Sequence, residues 1–446
     1  MERKSNPKRT KRDVERYARK LYRAERIEWA VDWALLAAAG LAVVLAWTGA
    51  WSGSGVRSLV TAGAIAESGK FGWSFWKRRR ANQALFGAAV GTLETATEIT
   101  AASVKLTALK PHSVDSGLGF VRRVYGGELA LSSADLNYAL RADDFVLVHN
   151  PHKRDRVRES IRRRKQDLIP VLRRIAADSI RDDRAFFNDP KLALASNFSV
   201  ARRQAFYHEG SYFDGYLTNE LCARFVRESG ETTLDFRDQF PVAEQHGDVV
   251  VRSLERSGLE DYVGISTIGR TLDGYLVFWE QGKRAQQSVG KRAPTASGSC
   301  DLSDLHGTSL HKTIAYAMQR ELVEETTLKA RGVSPVAVGQ TRIIGFFRWV
   351  SRGGKPEFIG ITRLNHESSE LWPDPAELND DARKHFIEPC ADVKQLRDLL
   401  AAAPSWPNCS LPVLHMVEVL AELLDSPVER SFVTDLWFGN AEGVAF

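Results

Sequence analysis

Between Trp33 and Val56 the chain reads WALLAAAGLAVVLAWTGAWSGSGV without one ionisable side chain, and no other stretch limits its possible folds as strongly. A helix that crosses a bilayer core needs roughly 20 consecutive apolar residues. Trp29, Trp33, Trp47 and Trp51 bracket the run, as side chains at two membrane interfaces would. The basic stretch before it is too long for a secretory leader, and Trp47–Trp51 offers no small-residue cleavage site. A weaker candidate, Ser58 to Trp76, contains Glu67 and Lys70, which lie three apart and share a helix face. Ala62, Gly63, Ala66 and Gly69 would let a second helix approach closely. The basic run Lys77–Arg80 then ends it. These features predict a two-span hairpin over residues 29–80, with Glu67 and Lys70 facing a bundle interior or water. Basic residues at both outer ends place both termini in the cytoplasm and make a lipid bilayer the first partner. A single span followed by an interfacial amphipathic helix, or a buried core helix, are the competing readings.

The remainder reads as folded protein. The chain has 446 residues, 43% hydrophobic and 26% charged, enough for two or three structural units. A net charge of +5 gives no ground for a nucleic-acid partner. Cys222, Cys300, Cys390 and Cys409 are scattered, without a CxxC pair, and read as reduced thiols rather than a zinc site or a disulfide framework. Residues 1–28 form a basic cytoplasmic amino terminus. A helical linker region is expected over 81–187, with one helix over Ala81–Leu109 and a charged one over Lys153–Ala185. From residue 188 to 446 short strands surround a helix near Ser309–Lys329 and end in helices near Val393–Ala402 and Leu411–Leu424. Tyr212–Glu220, aromatic and polar, reads as core packing with a turn or as a base-stacking wall. Arg342, Arg348 and Arg352 read as exposed arginines, with phosphate contact the alternative.

The chemistry concentrates in Arg320-Glu321-Leu322-Val323-Glu324-Glu325. On a helix the three glutamates crowd one face, where like charges repel. A hard divalent cation, Mg²⁺ or Mn²⁺, would relieve the repulsion and bridge to phosphate oxygens. Arg320 can hold a carboxylate through its fork of donors. Ile314, Met318, Leu322 and Leu328 supply the apolar face.

This segment resembles the second half of the Nudix box, and Leu328 fills its later apolar position. The first half departs from that pattern: Lys312 stands where the family has Glu, His306 where it has Gly, and Thr327 where a Gly follows the paired glutamates. Pro294–Ser299 is similar to the family's entry loop. The resemblance implies metal ligation by Glu324 and Glu325, and a general base or ligand role for Glu321. It implies ligand contacts by Arg320 and by the backbone at Ser297, Gly298 and Ser299; Lys312 can meet a phosphate directly. The expected fold class is an N-terminal transmembrane α-hairpin plus an α+β Nudix-like domain, a mixed sheet around a central glutamate-bearing helix.

The layout as a whole resembles the transmembrane–NUDIX effectors of bacterial cyclic-oligonucleotide antiphage signalling (CBASS). That resemblance implies an inner-membrane protein that senses a cyclic nucleotide made by a partner nucleotidyltransferase and disrupts the membrane as a homo-oligomer. The alternative is a membrane-tethered, Mg²⁺-dependent hydrolase of a nucleoside diphosphate derivative. The altered first half of the box favours the sensor, and the three glutamates favour the hydrolase.

Overall fold

The computed structural model describes residues 6–22, 92–95, 118–125, 127–182, 184–228, 231–245, 248–281, 290–373 and 385–439. The chain divides into two units, Met1–Asn6 with Gly91–Ser160 and Ser179–Phe446, and Pro7–Val90 with Ile161–Asp178. In the second unit residues 7–22 are helical, bury Val14, Tyr17, Ala18 and Leu21, and hold Arg173 through Glu15 at 3.1 Å.

The first unit is built on a nine-stranded sheet. Its strands are β1 (Val121–Tyr125), β2 (Glu128–Ser132), β3 (Gly264–Arg270), β4 (Tyr275–Glu280), β5 (Arg292–Ala293), β6 (Ala296–Ser299), β7 (Gly339–Trp349), β8 (Lys355–Leu364) and β9 (His385–Pro389). The order is β5-β4-β3-β8-β7-β2-β1, with β6 pairing β3 and β9 pairing β4. All pairs are antiparallel except β3 with β8, which run parallel from Gly264 opposite Glu357 to Arg270 opposite Arg363. Strands β1 and β2 lie upstream of residue 188, so the sheet begins earlier in the chain than the texture of the sequence suggests.

Alternation sorts the apolar side chains to two faces. Ile265, Ile343, Phe346 and Phe358 pack in one cluster with Leu310, Ile314 and Met318 of helix α4. Ile344, Phe347, Ile359 and Ile361 pack in another with the carboxyl-terminal helices. The helices in chain order are α1 (Ala134–Ala142), α2 (His152–Arg163), α3 (Lys165–Arg181), α4 (Leu310–Glu324), α5 (Val393–Ala402), α6 (Leu411–Asp425) and α7 (Arg430–Trp437). Helix α4 starts where the Ser309 hydroxyl accepts the Lys312 N–H at 3.1 Å, and Leu310, Ile314, Ala317, Met318 and Leu322 form its buried stripe. Burying each of the larger of these side chains stabilises the fold by about 1.5–3 kcal/mol.

A three-stranded sheet of Val146–His149, Gln204–Ser211 and Pro190–Leu194 leads into an unusual helical segment. One α-turn, Tyr212–Gly215, widens to a π-turn, Tyr216–Glu220, then tightens over Leu221–Ala223. Such wide turns are frequent at functional sites.

Three expectations need correction. Among the described residues no helix is long and apolar enough to cross a membrane. The longest, Lys165–Arg181, has 17 residues and carries charged side chains, short of the roughly 20 apolar residues a bilayer core requires. The transmembrane hairpin therefore leaves the fold class, and the inner-membrane location that rested on it goes too. Trp33, Trp51, Glu67 and Lys70, the residues assigned to it, lie outside the described residues. The sheet also does not wrap one central helix: α4 covers one face and α5–α7 the other. Within the expected helix over 81–109, Thr92–Thr95 is instead a strand, paired with Arg224–Glu228.

His415 of α6 is buried against Phe347, with ring centroids 4.8 Å apart. Burial, helped by the charge of Arg123, depresses its pKa from 6.5 to about 3. Because the folded value is the lower one, the associated stability is present above pH 6.5 and is lost as pH falls toward 3. Denaturant unfolding at pH 7 and pH 4 is expected to show a drop in the wild type that His415→Gln reduces by about 3 kcal/mol.

Candidate functional site

The last turn of α4 carries the glutamates because its apolar stripe fixes the helix's rotation on the sheet. Arg320 is buried beneath them. Its Nε and Nη2 donate to Asp304 at 2.8 and 2.9 Å, and its Nη1 donates to Glu321 at 2.8 Å and Glu324 at 3.1 Å. Nη2 also donates to the Ser299 carbonyl at 3.0 Å, so the guanidinium joins helix, loop and strand. Burial alone would lower the Arg320 pKa, but Glu321 and Asp304 outweigh it and raise it.

Strand β6 passes directly over this turn. The Ser297 N–H donates to Glu325 at 3.1 Å. A Cβ placed on Gly298 would lie 2.4 Å from Glu321 Oε1, so only glycine lets the strand and the carboxylate approach so closely.

A cavity of about 230 Å³ opens beside these carboxylates. Glu321, Glu325, Ser297, Gly298 and Ser299 line one side. Tyr212, Tyr216, Tyr262 and Trp349 form an aromatic wall, with Tyr212 and Tyr262 ring centroids 6.5 Å apart. Glu357 and Lys355 of β8 point into the same space, joined at 2.9 Å, and Ser266 of the parallel neighbour β3 donates to Glu357 at 3.2 Å. Gly264 makes room for that pair, since a Cβ there would lie 1.8 Å from Glu357 Oε2. The Lys355 ammonium sits 4.7 Å from the Tyr262 ring centroid. Burial lowers its pKa to about 8, with Glu357 only partly opposing.

Beside it, Arg352 Nε donates to Glu220 at 2.8 Å, and its guanidinium lies 5.0 Å from the Trp349 ring centroid. The Tyr262 hydroxyl donates to Glu220 at 2.8 Å and accepts from Arg352 Nη2 at 2.8 Å. Burial would raise the Glu220 pKa, but Arg352 overrides it and holds the carboxyl below its ordinary value. The Ser410 hydroxyl also lines the cavity, buried, with no hydrogen-bond partner among the described residues.

Of the residues singled out from sequence, Glu321, Glu325, Ser297, Gly298 and Ser299 are brought to one cavity. Arg320 and Glu324 stand behind it, bonded to each other. Lys312 is not brought there: it lies at the amino end of α4 and lines a different cavity. Lys355, Glu357, Tyr262, Trp349 and Ser410 were not anticipated. Lys355 and Glu357 alone had a readable signal, because residues two apart on a strand share a face.

Carboxylate oxygens suit a hard divalent cation. Among the described residues, however, no three His, Cys, Asp or Glu side chains stand close enough together to hold one. The donor chemistry therefore fits Mg²⁺ or Mn²⁺ only where ligand oxygens complete the coordination, the usual situation for Mg²⁺ bound with phosphates.

No family model matches the chain, and no curated protein matches it. Among solved structures, a Deinococcus radiodurans protein superposes with a TM-score of 0.25 at 11% identity, over 35% of this chain and 81% of that one. A bifunctional NMN adenylyltransferase/ADP ribose pyrophosphatase from Francisella tularensis, complexed with AMP and a manganese ion, superposes with a TM-score of 0.21 at 16% identity. That match covers 32% of this chain and 42% of the enzyme. A second structure of the bifunctional enzyme gives 0.20 at 17% identity, covering 32% and 41%. The chain thus spans less than half the length of the bifunctional enzyme.

Removing the Arg320 charge would strand Asp304 and Glu321, which are 1% and 2% exposed. Arg320→Met is expected to lower the unfolding free energy in urea by about 3–5 kcal/mol. Arg320→Lys should recover only part of that loss, since an ammonium lacks the planar fork that Asp304 grips.

Proposed function

We propose that this chain is a Nudix-like nucleotide-binding protein whose cavity takes one nucleotide unit of a cyclic di- or oligonucleotide and acts as its sensor. The observation that carries the reading is a single cavity lined both by aromatic rings and by phosphate-handling groups. A base stacks against Tyr212, Tyr216, Tyr262 or Trp349, where every base offers a π-face. The Ser410 hydroxyl and the backbone of Ser297–Ser299 supply hydrogen bonds. The phosphate faces Lys355.

Charge balance sets a condition on binding. The Glu220–Arg352 and Glu357–Lys355 pairs are neutral, and Glu321 and Glu325 face the ligand from the other wall. Glu321 and Glu325 would hold Mg²⁺ or Mn²⁺, which would supply positive charge toward a phosphate. The signal would come from a partner nucleotidyltransferase, in antiviral signalling of the kind the CBASS resemblance implies.

A second reading, hydrolysis of a linear nucleoside diphosphate derivative, is favoured by one observation: Glu321, Glu325 and Glu357 line the same cavity. One of them would take a proton from water as the oxygen adds to phosphorus and the bridging P–O bond breaks.

Calorimetry on the full chain separates the two. Cyclic di- and trinucleotides and a linear dinucleoside polyphosphate would be titrated in Mg²⁺ and in EDTA, and every mixture analysed for products. Binding of a cyclic nucleotide that weakens at least tenfold in EDTA, without turnover, is the expected result. Cleavage of the linear compound that disappears in Glu325→Gln would replace the sensor with the hydrolase.

A pH series adds a further prediction. The Lys355 ammonium is charged below about pH 8 and loses its proton above it. Nucleotide affinity should therefore hold steady to about pH 7.5 and fall as pH rises through 8. An affinity flat to pH 9 would remove Lys355 from the phosphate site.

A further inference from the structure

A second cavity, of about 300 Å³, opens at the opposite end of α4, between that helix, β7 and α7. Lys312 lies nine positions before Glu321, about 13 Å along the axis at 1.5 Å per residue. The walls carry Lys312, His311, Arg141 and Arg342, with Ile343 and Phe432 as apolar surface.

Two of the four basic side chains are already committed. Arg141 donates from Nε to Glu429 at 2.8 Å and from Nη1 to the Ile344 carbonyl at 2.7 Å. The His311 ring is held between Asp144 and the Leu140 carbonyl. The other two are not neutralised. Arg342 donates only from Nη1, to the Phe432 carbonyl at 3.0 Å, and its guanidinium lies 5.3 Å from the Phe432 ring centroid. It makes no ion pair among the described residues, and burial lowers its pKa with only the more distant Asp435 opposing. Lys312 is exposed, and its ammonium has no partner among the described residues.

We propose that this cavity is a separate binding site for a phosphate monoester carried on an aromatic body, held by Lys312 and Arg342. A phosphate monoester carries close to two negative charges at neutral pH, its second pKa being about 6. That matches two unneutralised cations, whereas a carboxylate offers one charge. Arg342 presents its unused donors as a planar fork, and Lys312 acts as a point charge beside it. Phe432 and Ile343 receive the ring. The inference does not depend on what the first cavity binds.

Phenyl phosphate and benzoate are the probes, titrated into the full chain by calorimetry at pH 7.5. Phenyl phosphate should bind at least tenfold more tightly than benzoate. Lys312→Glu should weaken it at least tenfold while leaving the melting temperature unchanged, because that side chain is exposed. Arg342→Gln should weaken it as well, with circular dichroism confirming the fold. Phenyl phosphate can also enter the first cavity, so the binding lost in Lys312→Glu and in Arg342→Gln is what measures this site. The proposal fails if benzoate binds as tightly or if Lys312→Glu has no effect.

Discussion

The Arg320 guanidinium is the point on which the rest of the site depends. It is one cation hydrogen-bonded to three carboxylates, contributed by a loop at Asp304 and by the last turns of α4 at Glu321 and Glu324. A bare helix carrying glutamates at such spacing would repel itself. Burying carboxylates unpaired would cost several kcal/mol each. With Arg320 in place the same charges become the attachment of three segments, because the fork also reaches the Ser299 carbonyl at the end of β6. Glu321 is thereby fixed against Gly298, and the strand that Gly298 belongs to becomes one wall of the cavity. Fold stability and the placement of the acidic groups are one problem here, solved by one side chain.

That solution gathers acidic groups on one wall of the cavity. Arg320 spreads its positive charge over Asp304, Glu321 and Glu324, and Glu325 accepts the Ser297 N–H. On the facing side, ion pairs cancel: Arg352 with Glu220, Lys355 with Glu357. On the proposed reading the aromatic wall would receive a ring, and the glutamates a cation that accompanies the anion.

How far the sequence foretold this follows from the range of each interaction. The glutamates of α4 were legible because helical spacing is local, and the approach of Ser297–Ser299 was legible through its likeness to a known loop. Helices over Val393–Ala402 and Leu411–Asp425 followed from apolar periodicity. Tyr262, just before β3, and Trp349, at the end of β7, were not legible as wall residues, because the β7–β8 hairpin reaches β3 through a parallel pairing across a long intervening stretch and no local pattern announces that register. Tyr212–Glu220 was read as either core or base-stacking wall. It packs in the core and also lines the cavity, with a π-turn that no residue pattern encodes. Lys312 was assigned by its place in a motif, and a straight helix carries it to the far end. The hairpin reading rested on local hydropathy alone, and its residues lie outside those described.

The cavity's own contacts also constrain what can enter. Lys355 is satisfied before any ligand arrives, by Glu357 at 2.9 Å and by the face of Tyr262. On the proposed reading a phosphate would share the ammonium rather than find it idle, and its gain would be the difference between two good arrangements. Arg352 is more tightly engaged, with Glu220, the Tyr262 hydroxyl and the Trp349 ring all on it, so it serves to hold the wall rigid. Rigidity matters because a stacking wall that is already ordered loses little conformational entropy when a base arrives. On the proposed reading the cavity of about 230 Å³ would take one unit of a larger ligand, and the rest would lie across the rim. Discrimination would then fall to the unit inside and to Ser410, whose buried hydroxyl has no partner among the described residues until a ligand offers it a polar edge.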